Sequence, residues 1–152
     1  FGGAVGGFTT GRKEIIEMLR QRSRPYLFSN SLPPMIAGAG VELFKMLEES
    51  DELHSRLVKN VEYFRAKMLD AGFDIKPTQS AICAVMLYDA PLSQKFASAM
   101  AEEGIFVTGF YYPVVPAGQA RIRVQLSAAH TQHQLDRAID AFVKVGKDLK
   151  VI

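Results

Sequence analysis

The sequence has no tryptophan and a single cysteine, Cys83. One thiol cannot close an intrachain disulfide, so packing rather than cross-linking must hold the chain together, as suits a reducing compartment. Cys83 sits inside the apolar run Ile82-Cys83-Ala84-Val85-Met86-Leu87, where a free cysteine reads as a small buried apolar residue. Long hydrophobic runs are missing too. No stretch approaches the roughly 18 uncharged residues of a membrane-spanning helix, so no membrane partner is expected. Neither sign of charge is in excess: 18 Lys and Arg against 16 Asp and Glu leave +2. That is too little to argue for nucleic acid or anionic lipid. A hydrophobic share of 48% excludes a disordered chain. Moderate glycine and proline without a persistent heptad exclude collagen-like and coiled-coil architectures. What remains is globular, with 152 residues making about one domain.

The front of the chain shows no signal-peptide or transit pattern. Phe1-Gly2-Gly3-Ala4-Val5-Gly6-Gly7-Phe8 reads as the inside of a longer chain, with paired glycines that let backbone pass close to a ligand or another segment. Residues 12–22 carry Ile15, Ile16, Met18 and Leu19 among charges, a short amphipathic helix. Pro25 disfavours helical geometry at Arg24, and residues 26–34 read as a rigid polar-aromatic loop feeding a proline-led helix over 33–49. Ser50 then precedes a long helix over 51–71, with Leu53, Leu57, Val61, Phe64 and Met68 on one face and Gly72 as its C′ residue. A boundary near residue 50 follows.

Beyond Gly72 the period changes. Residues 81–88 form a continuous apolar strand, and 89–103 a helix with Leu92, Phe96 and Met100 four apart, ended by Gly104. Ile105-Phe106-Val107-Thr108 reads as a strand continuing towards Tyr111, and Pro113, Pro116 and Gly118 as a stiff connection. Arg121-Ile122-Arg123-Val124-Gln125-Leu126 alternates polar with apolar. Thr131 with Gln134 makes a capping box for a last helix whose face is Leu135, Ile139, Phe142 and Val143. These elements predict an α+β fold, a small mixed or antiparallel sheet covered by helices.

Two places suit anions. Ser29-Asn30-Ser31, at the head of a helix, offers hydroxyls and an amide beside unpaired helical N–H groups, suited to a phosphate. The alternative is that these residues simply cap the helix. Arg123 sits in mid-strand, and its planar fork matches a carboxylate. The alternative is an exposed sheet face or a structural ion pair. Other combinations point less far. Arg20, Arg22 and Arg24 with Tyr26 and Phe28 could stack and neutralise nucleic acid, but helix-end cations are commonly solvated, and no nucleic-acid partner is expected. His130 and His133 lack further metal ligands, so no metal is expected. Ser127, His130 and Asp136 lie too close in sequence to suggest a triad. Phe106, Phe110, Tyr111 and Tyr112 are core or pocket wall.

Four motifs occur in register: the glycine-rich front; Arg24-Pro25-Tyr26-Leu27-Phe28-Ser29-Asn30-Ser31-Leu32-Pro33-Pro34; Tyr112-Pro113-Val114-Val115-Pro116-Ala117-Gly118-Gln119-Ala120-Arg121-Ile122-Arg123; and Ser127-Ala128-Ala129-His130-Thr131. Together, over residues 1–152, they resemble the C-terminal part of the α-oxoamine synthases, which are fold-type I pyridoxal-phosphate enzymes. The resemblance implies that residues 1–50 end the large cofactor-binding domain with its connecting helix. Residues 51–152 would form the C-terminal small domain of the aminotransferase-like fold. It implies pyridoxal 5'-phosphate as cofactor, with Ser29 and Asn30 contacting its phosphate from the partner subunit of a homodimer. It implies that Arg123 holds the amino-acid carboxylate. Within the family, the wording of the second and third motifs favours the branch that condenses glycine with acetyl-CoA to 2-amino-3-ketobutyrate and CoA, reversibly, in threonine degradation. The 8-amino-7-oxononanoate and 5-aminolevulinate branches are the alternatives. The family's Schiff-base lysine matches a position upstream of Phe1, so no catalytic residue is expected within these residues. The implied compartment is the cytoplasm, or the mitochondrion for a eukaryotic source. A non-catalytic α+β ligand-binding module is the rival from another class.

Overall fold

A computed structural model describes residues 5–152. The part of the expected close backbone passage at residues 1–4 lies outside the described residues. The chain divides into two compact units, Phe1–Asp51 and Glu52–Ile152.

In the first unit, α1 (Lys13–Arg22), α2 (Arg24–Phe28) and α3 (Pro34–Glu49) bury no residue fully. The close passage is visible at Gly6. Its φ of +101° favours glycine, and any Cβ there would require the end of the Leu32 side chain to move aside. Phe8 meets Phe44 edge-on at 5.7 Å between ring centroids. The loop expected over 26–34 is partly helical, because α2 occupies its first residues. The break that Pro25 imposes falls at Ser23, which is extended (φ −74°, ψ 111°), and not at Arg24, which opens α2. Pro25 stands in the first turn, where its missing N–H has no intrahelical partner to lose.

The second unit runs α4 (Glu52–Asp70), β1 (Ile75–Lys76), β2 (Ile82–Tyr88), α5 (Ala90–Glu102), β3 (Thr108–Phe110), β4 (Ala120–Gln125) and α6 (Gln132–Asp148). The four strands form one antiparallel sheet in the order β1-β2-β4-β3, with Cys83 opposite Val124, Val85 opposite Ile122 and Thr108 opposite Arg123. The fold is therefore α+β, as the alternation and helical periods predict. One face of the sheet supplies Cys83, Val85, Leu87, Ile122 and Val124 to a core completed by Phe64 and Met68 of α4, Phe96 and Met100 of α5, and Leu135 and Phe142 of α6. Phe142 sits among the rings of Phe64, Phe73 and Phe96, with centroids 5.6–6.1 Å away. Leu53 departs from the expected stripe and is exposed.

The helix ends follow their sequence signals. Gly72 has φ +97°, with Phe73 N–H donating to the Met68 carbonyl and Gly72 N–H to that of Leu69. Gly104 has φ +76° and the same pair of bonds, from Ile105 to Met100 and from Gly104 to Ala101. Both are Schellman closures. The second one moves a strand: Ile105 is committed to closing α5, so pairing begins only at Thr108 and not at the expected residue 105. The two-residue β1 was not expected, since Ile75-Lys76 is too short to show a period. Asp89 caps α5 through Leu92 N–H at 2.8 Å, and Thr131 and Gln134 form the expected capping box on α6.

β3 is held hard against α5. A Cβ at Gly109 would lie 2.8 Å from the backbone oxygen of Ser93, a fully buried residue whose hydroxyl donates to the Ala90 carbonyl. Backbone cannot yield as a flexible side chain does. Gly109→Ala should therefore cost about 1–3 kcal/mol of stability, the range for overpacking. Denaturant unfolding of the variant beside the parent measures this, and an unchanged midpoint would contradict the close approach.

Candidate functional site

Strand β4 carries the site because its two faces differ. Ile122 is fully buried and Val124 nearly so, which turns Arg121, Arg123 and Gln125 to the opposite face. The two arginines there have different fates. Arg121 is tied down, with Nε donating to the Gln119 carbonyl at 3.1 Å and Nη2 to its Oε1 at 3.3 Å. Gln119 is itself fixed by a turn in which its N–H reaches the Pro116 carbonyl and Gly118 takes φ +74°. Arg123 is exposed and has no carboxylate within ion-pair distance among the described residues. Its guanidinium lies 5.4 Å from the centroid of the Phe110 ring.

Arg123 borders a cavity of about 670 Å³ at the β3 edge of the sheet, with Phe106, Phe110, Gln125, His130 and Arg137 among its lining residues. The lining contains two arginines and no aspartate or glutamate. A wall of that composition favours an anion over a cation, and the free fork favours a planar carboxylate. The ion-pair alternative for Arg123 thus finds no partner within the described residues. The aromatic cluster divides: Phe106 is 90% exposed at the cavity mouth, whereas Phe110 is half-buried beneath Arg123.

Ser29, Asn30 and Ser31 lie in the first unit and Arg123 in the second. The three polar residues do not cap α3, contrary to the capping alternative. The residue preceding that helix is Pro33, which has no side-chain cap bond, and Ser29 instead closes α2 by donating its N–H to the Pro25 carbonyl at 2.9 Å. The side chains of Ser29, Asn30 and Ser31 are exposed and make no hydrogen bond among the described residues. A hydroxyl and a carboxamide without partners, next to each other on one loop, are neutral donors open to phosphate oxygens.

The other combinations have structural employment. His130 Nδ1 accepts from Ser127 N–H at 3.2 Å, and Asn60 of α4 donates to the carbonyls of both Ser127 and His130 at 3.0 Å. This clasp fixes the turn leading into α6, and leaves His130 no part in a triad. Asp136 accepts from the Tyr63 hydroxyl at 2.6 Å and from Gln132 at 3.2 Å. Cys83 is fully buried, and burial pushes its thiol pKa up against the opposing pull of Arg65. It is no nucleophile. Arg20 and Arg22 stand in the last turn of α1, where cations suit the helix dipole. Sequence reading missed Asn60, Tyr63 and Arg65, whose partners are 15 or more residues away.

The Tyr63 hydrogen bond holds the Asp136 carboxyl below its ordinary 3.8, with Gln132, Lys67 and His133 assisting and burial opposing. The same bond raises the Tyr63 phenol above 10.0. A lowered carboxyl contributes stability above its unfolded value, and that contribution is lost as pH falls through the folded value. A raised phenol contributes below its unfolded value, and that contribution is lost as pH rises through the folded one. The pair should therefore hold across neutral pH and fail at both extremes. In Tyr63→Phe the stability difference from the parent should be constant between about pH 5 and 9 and shrink below pH 4. Thermal unfolding from neutral pH down through the acid range tests it, and a difference that never shrinks as pH falls would remove the bond from the account.

Residues 1–142 match the family described as aminotransferase class I and II. The chain is 57% identical over 151 residues to the 2-amino-3-ketobutyrate coenzyme A ligase of Salmonella typhimurium, covering 99% of this chain and 38% of that protein. It is 49% identical over 150 residues to the 8-amino-7-oxononanoate synthase of Thermosipho melanesiensis, with 99% and 38% covered. Among solved structures, serine palmitoyltransferase from S. paucimobilis with bound PLP-myriocin aldimine superposes with a TM-score of 0.81 at 30% identity, over 90% of this chain and 35% of that one. The chain thus spans about two fifths of the length of the curated relatives it matches. With fold, motifs and family match in agreement across most of its length, the chain belongs to the aminotransferase class I and II family.

Proposed function

We propose that this chain forms the C-terminal part of a pyridoxal-phosphate-dependent acyltransferase that condenses glycine with acetyl-CoA to 2-amino-3-ketobutyrate and CoA, and runs the reverse reaction in threonine degradation. The observation that carries the reading is Arg123, a guanidinium with no acidic partner among the described residues on a cavity wall free of carboxylates. The 57% identity to a 2-amino-3-ketobutyrate coenzyme A ligase favours this activity over the 8-amino-7-oxononanoate synthase reading, which draws on 49%. Residues 1–50 belong, on this reading, to the large cofactor-binding domain and 51–152 to the small domain.

The donor set fits the cofactor and substrate. Ser29 and Asn30 offer a hydroxyl and a carboxamide to the cofactor phosphate, and they reach it from the partner subunit of a homodimer. Arg123 receives the glycine carboxylate with two parallel N–H donors, which fixes both position and orientation of the amino acid. Orientation matters because bond breaking at Cα is fastest when the breaking bond is held in one geometry. Pyridoxal 5'-phosphate, when bound, supplies the electron sink that makes removal of a Cα proton accessible. The acid-free wall leaves no side-chain carboxylate of its lining to compete with glycine for Arg123, and Arg121, engaged by Gln119, does not divert it.

In the full-length protein, Arg123→Ala should weaken glycine binding by about 2–5 kcal/mol, the cost of removing one partner of a desolvated charge pair. Acetyl-CoA binding should be almost unaffected. Arg123→Lys should recover only part of the loss, since an ammonium cannot reproduce two parallel bonds. Steady-state kinetics on both substrates decide it, and an unchanged apparent glycine affinity in Arg123→Ala would take this residue out of the site.

Sharing of sites between subunits has its own test. Ser29→Ala with Asn30→Ala should loosen cofactor retention by about 1–3 kcal/mol per lost contact to a charged group. Mixing that full-length variant with one lacking the cofactor-bearing lysine should restore activity by subunit exchange, because one heterodimer site keeps both functions. Heterodimers that form but stay inactive would place Ser29 and Asn30 in the site of their own chain.

A further inference from the structure

We infer that Phe110 is a positioning residue for Arg123: its ring holds the guanidinium at the cavity wall without occupying any of its N–H donors, and so sets the affinity for the amino-acid carboxylate. The inference rests on the reading of Arg123 as a carboxylate clamp.

A free arginine carries several rotatable bonds, and ordering it costs conformational entropy when a ligand arrives. The structure shows two ways of restraining an arginine on one strand face. Arg121 is held by hydrogen bonds to Gln119, which consume Nε and Nη2. An arginine held in that manner has fewer donors left for a ligand. Arg123 makes no hydrogen bond or ion pair among the described residues, yet its guanidinium carbon lies 5.4 Å from the Phe110 ring centroid, within cation–π reach. An aromatic face attracts the cation and accepts none of its in-plane N–H bonds, so the whole fork stays available.

The register explains how the ring gets there. Thr108 lies directly opposite Arg123, and Phe110 opposite Arg121. Phe110 is two residues from Thr108, so it shares the face of Arg123 and meets it along the diagonal of the antiparallel ladder, a distance that long and aromatic side chains span. The ring is also on a firm base. Gly109, its neighbour, packs so closely on the Ser93 backbone that a Cβ would come within 2.8 Å of it. The line from α5 through Gly109 to Phe110 and Arg123 is therefore one of direct contacts.

The test uses the full-length holoenzyme and glycine with acetyl-CoA. Phe110→Leu should raise KM for glycine roughly 3- to 30-fold, the range of a cation–π contact. KM for acetyl-CoA, and kcat at saturating glycine, should stay near the parent values, the pattern of a loss felt equally in ground and transition states. Phe110→Tyr, which keeps a ring, should restore the glycine KM. In an Arg123→Ala background Phe110→Leu should add nothing further. Because removing the ring can loosen β3, 3,5-difluorophenylalanine at position 110 serves as a second variant: its shape is nearly that of phenylalanine and its face is less negative, so the glycine KM should rise in the same direction. An unchanged glycine KM in the difluoro variant, or a Phe110→Leu effect undiminished without Arg123, overturns the positioning role and leaves the clamp standing. An Arg123→Ala enzyme with an unaltered glycine KM overturns the clamp itself, and this inference with it.

Discussion

The two-residue period of β4 is the constraint on which the second unit depends. β4 lies between β2 and β3, so its register sets the positions of both together. Ile122 and Val124 are driven into the core with Phe64, Phe96 and Phe142. Burying such side chains contributes about 1.5–3 kcal/mol each. A slip of one residue would exchange them for Arg121 and Arg123, so the hydrophobic preference that builds the core also fixes where the arginines point. The position of the candidate carboxylate clamp is thus a by-product of core formation.

The helical side of the sheet supplies rigidity in a different manner. α5 is pinned at its start by Asp89 and at its end by the Schellman closure at Gly104, and β3 is pressed on it through Gly109. The closure at Gly104 spends Ile105 on the helix end, which shortens β3 to three residues. A short edge strand offers little unpaired backbone to another chain. It also leaves Phe106 outside the ladder, at the mouth of the cavity.

Much of this was legible in the residues, and what was not has identifiable causes. Helices α4, α5 and α6 announce themselves because their apolar positions recur every three or four residues, and Phe64, Phe96 and Phe142 are all fully buried as that period requires. The capping box at Thr131 and the stop at Gly72 are local in sequence, so they could be read directly. Arg123 was readable as a non-core arginine from its neighbours alone. Its lack of an acidic partner was not readable, because that depends on which side chains line the cavity. The long-range bonds of Asn60 and Tyr63 leave no periodic trace, since each joins α4 to residues more than 60 positions away. At Ser29 and Asn30 the sequence suggested either capping or anion binding. The helix expected over 33–49 starts at Pro34, one residue later, and in either case too far along for Ser29 or Asn30 to be its cap.

The two candidate anion sites use different donors, and the difference suits their proposed ligands. Ser29 and Asn30 are neutral and exposed, so they can satisfy phosphate oxygens with little preference for orientation, since a phosphate presents acceptors all round. A carboxylate is planar and presents two oxygens in one direction, and a guanidinium matches it only when the two planes are aligned. Alignment requires something to hold the guanidinium without using its donors. A carboxylate neighbour would hold Arg123 and block it, whereas no neighbour would leave it free to swing. An aromatic ring on the adjacent strand meets both requirements, and the antiparallel register of β3 on β4 puts Phe110 where that ring is needed.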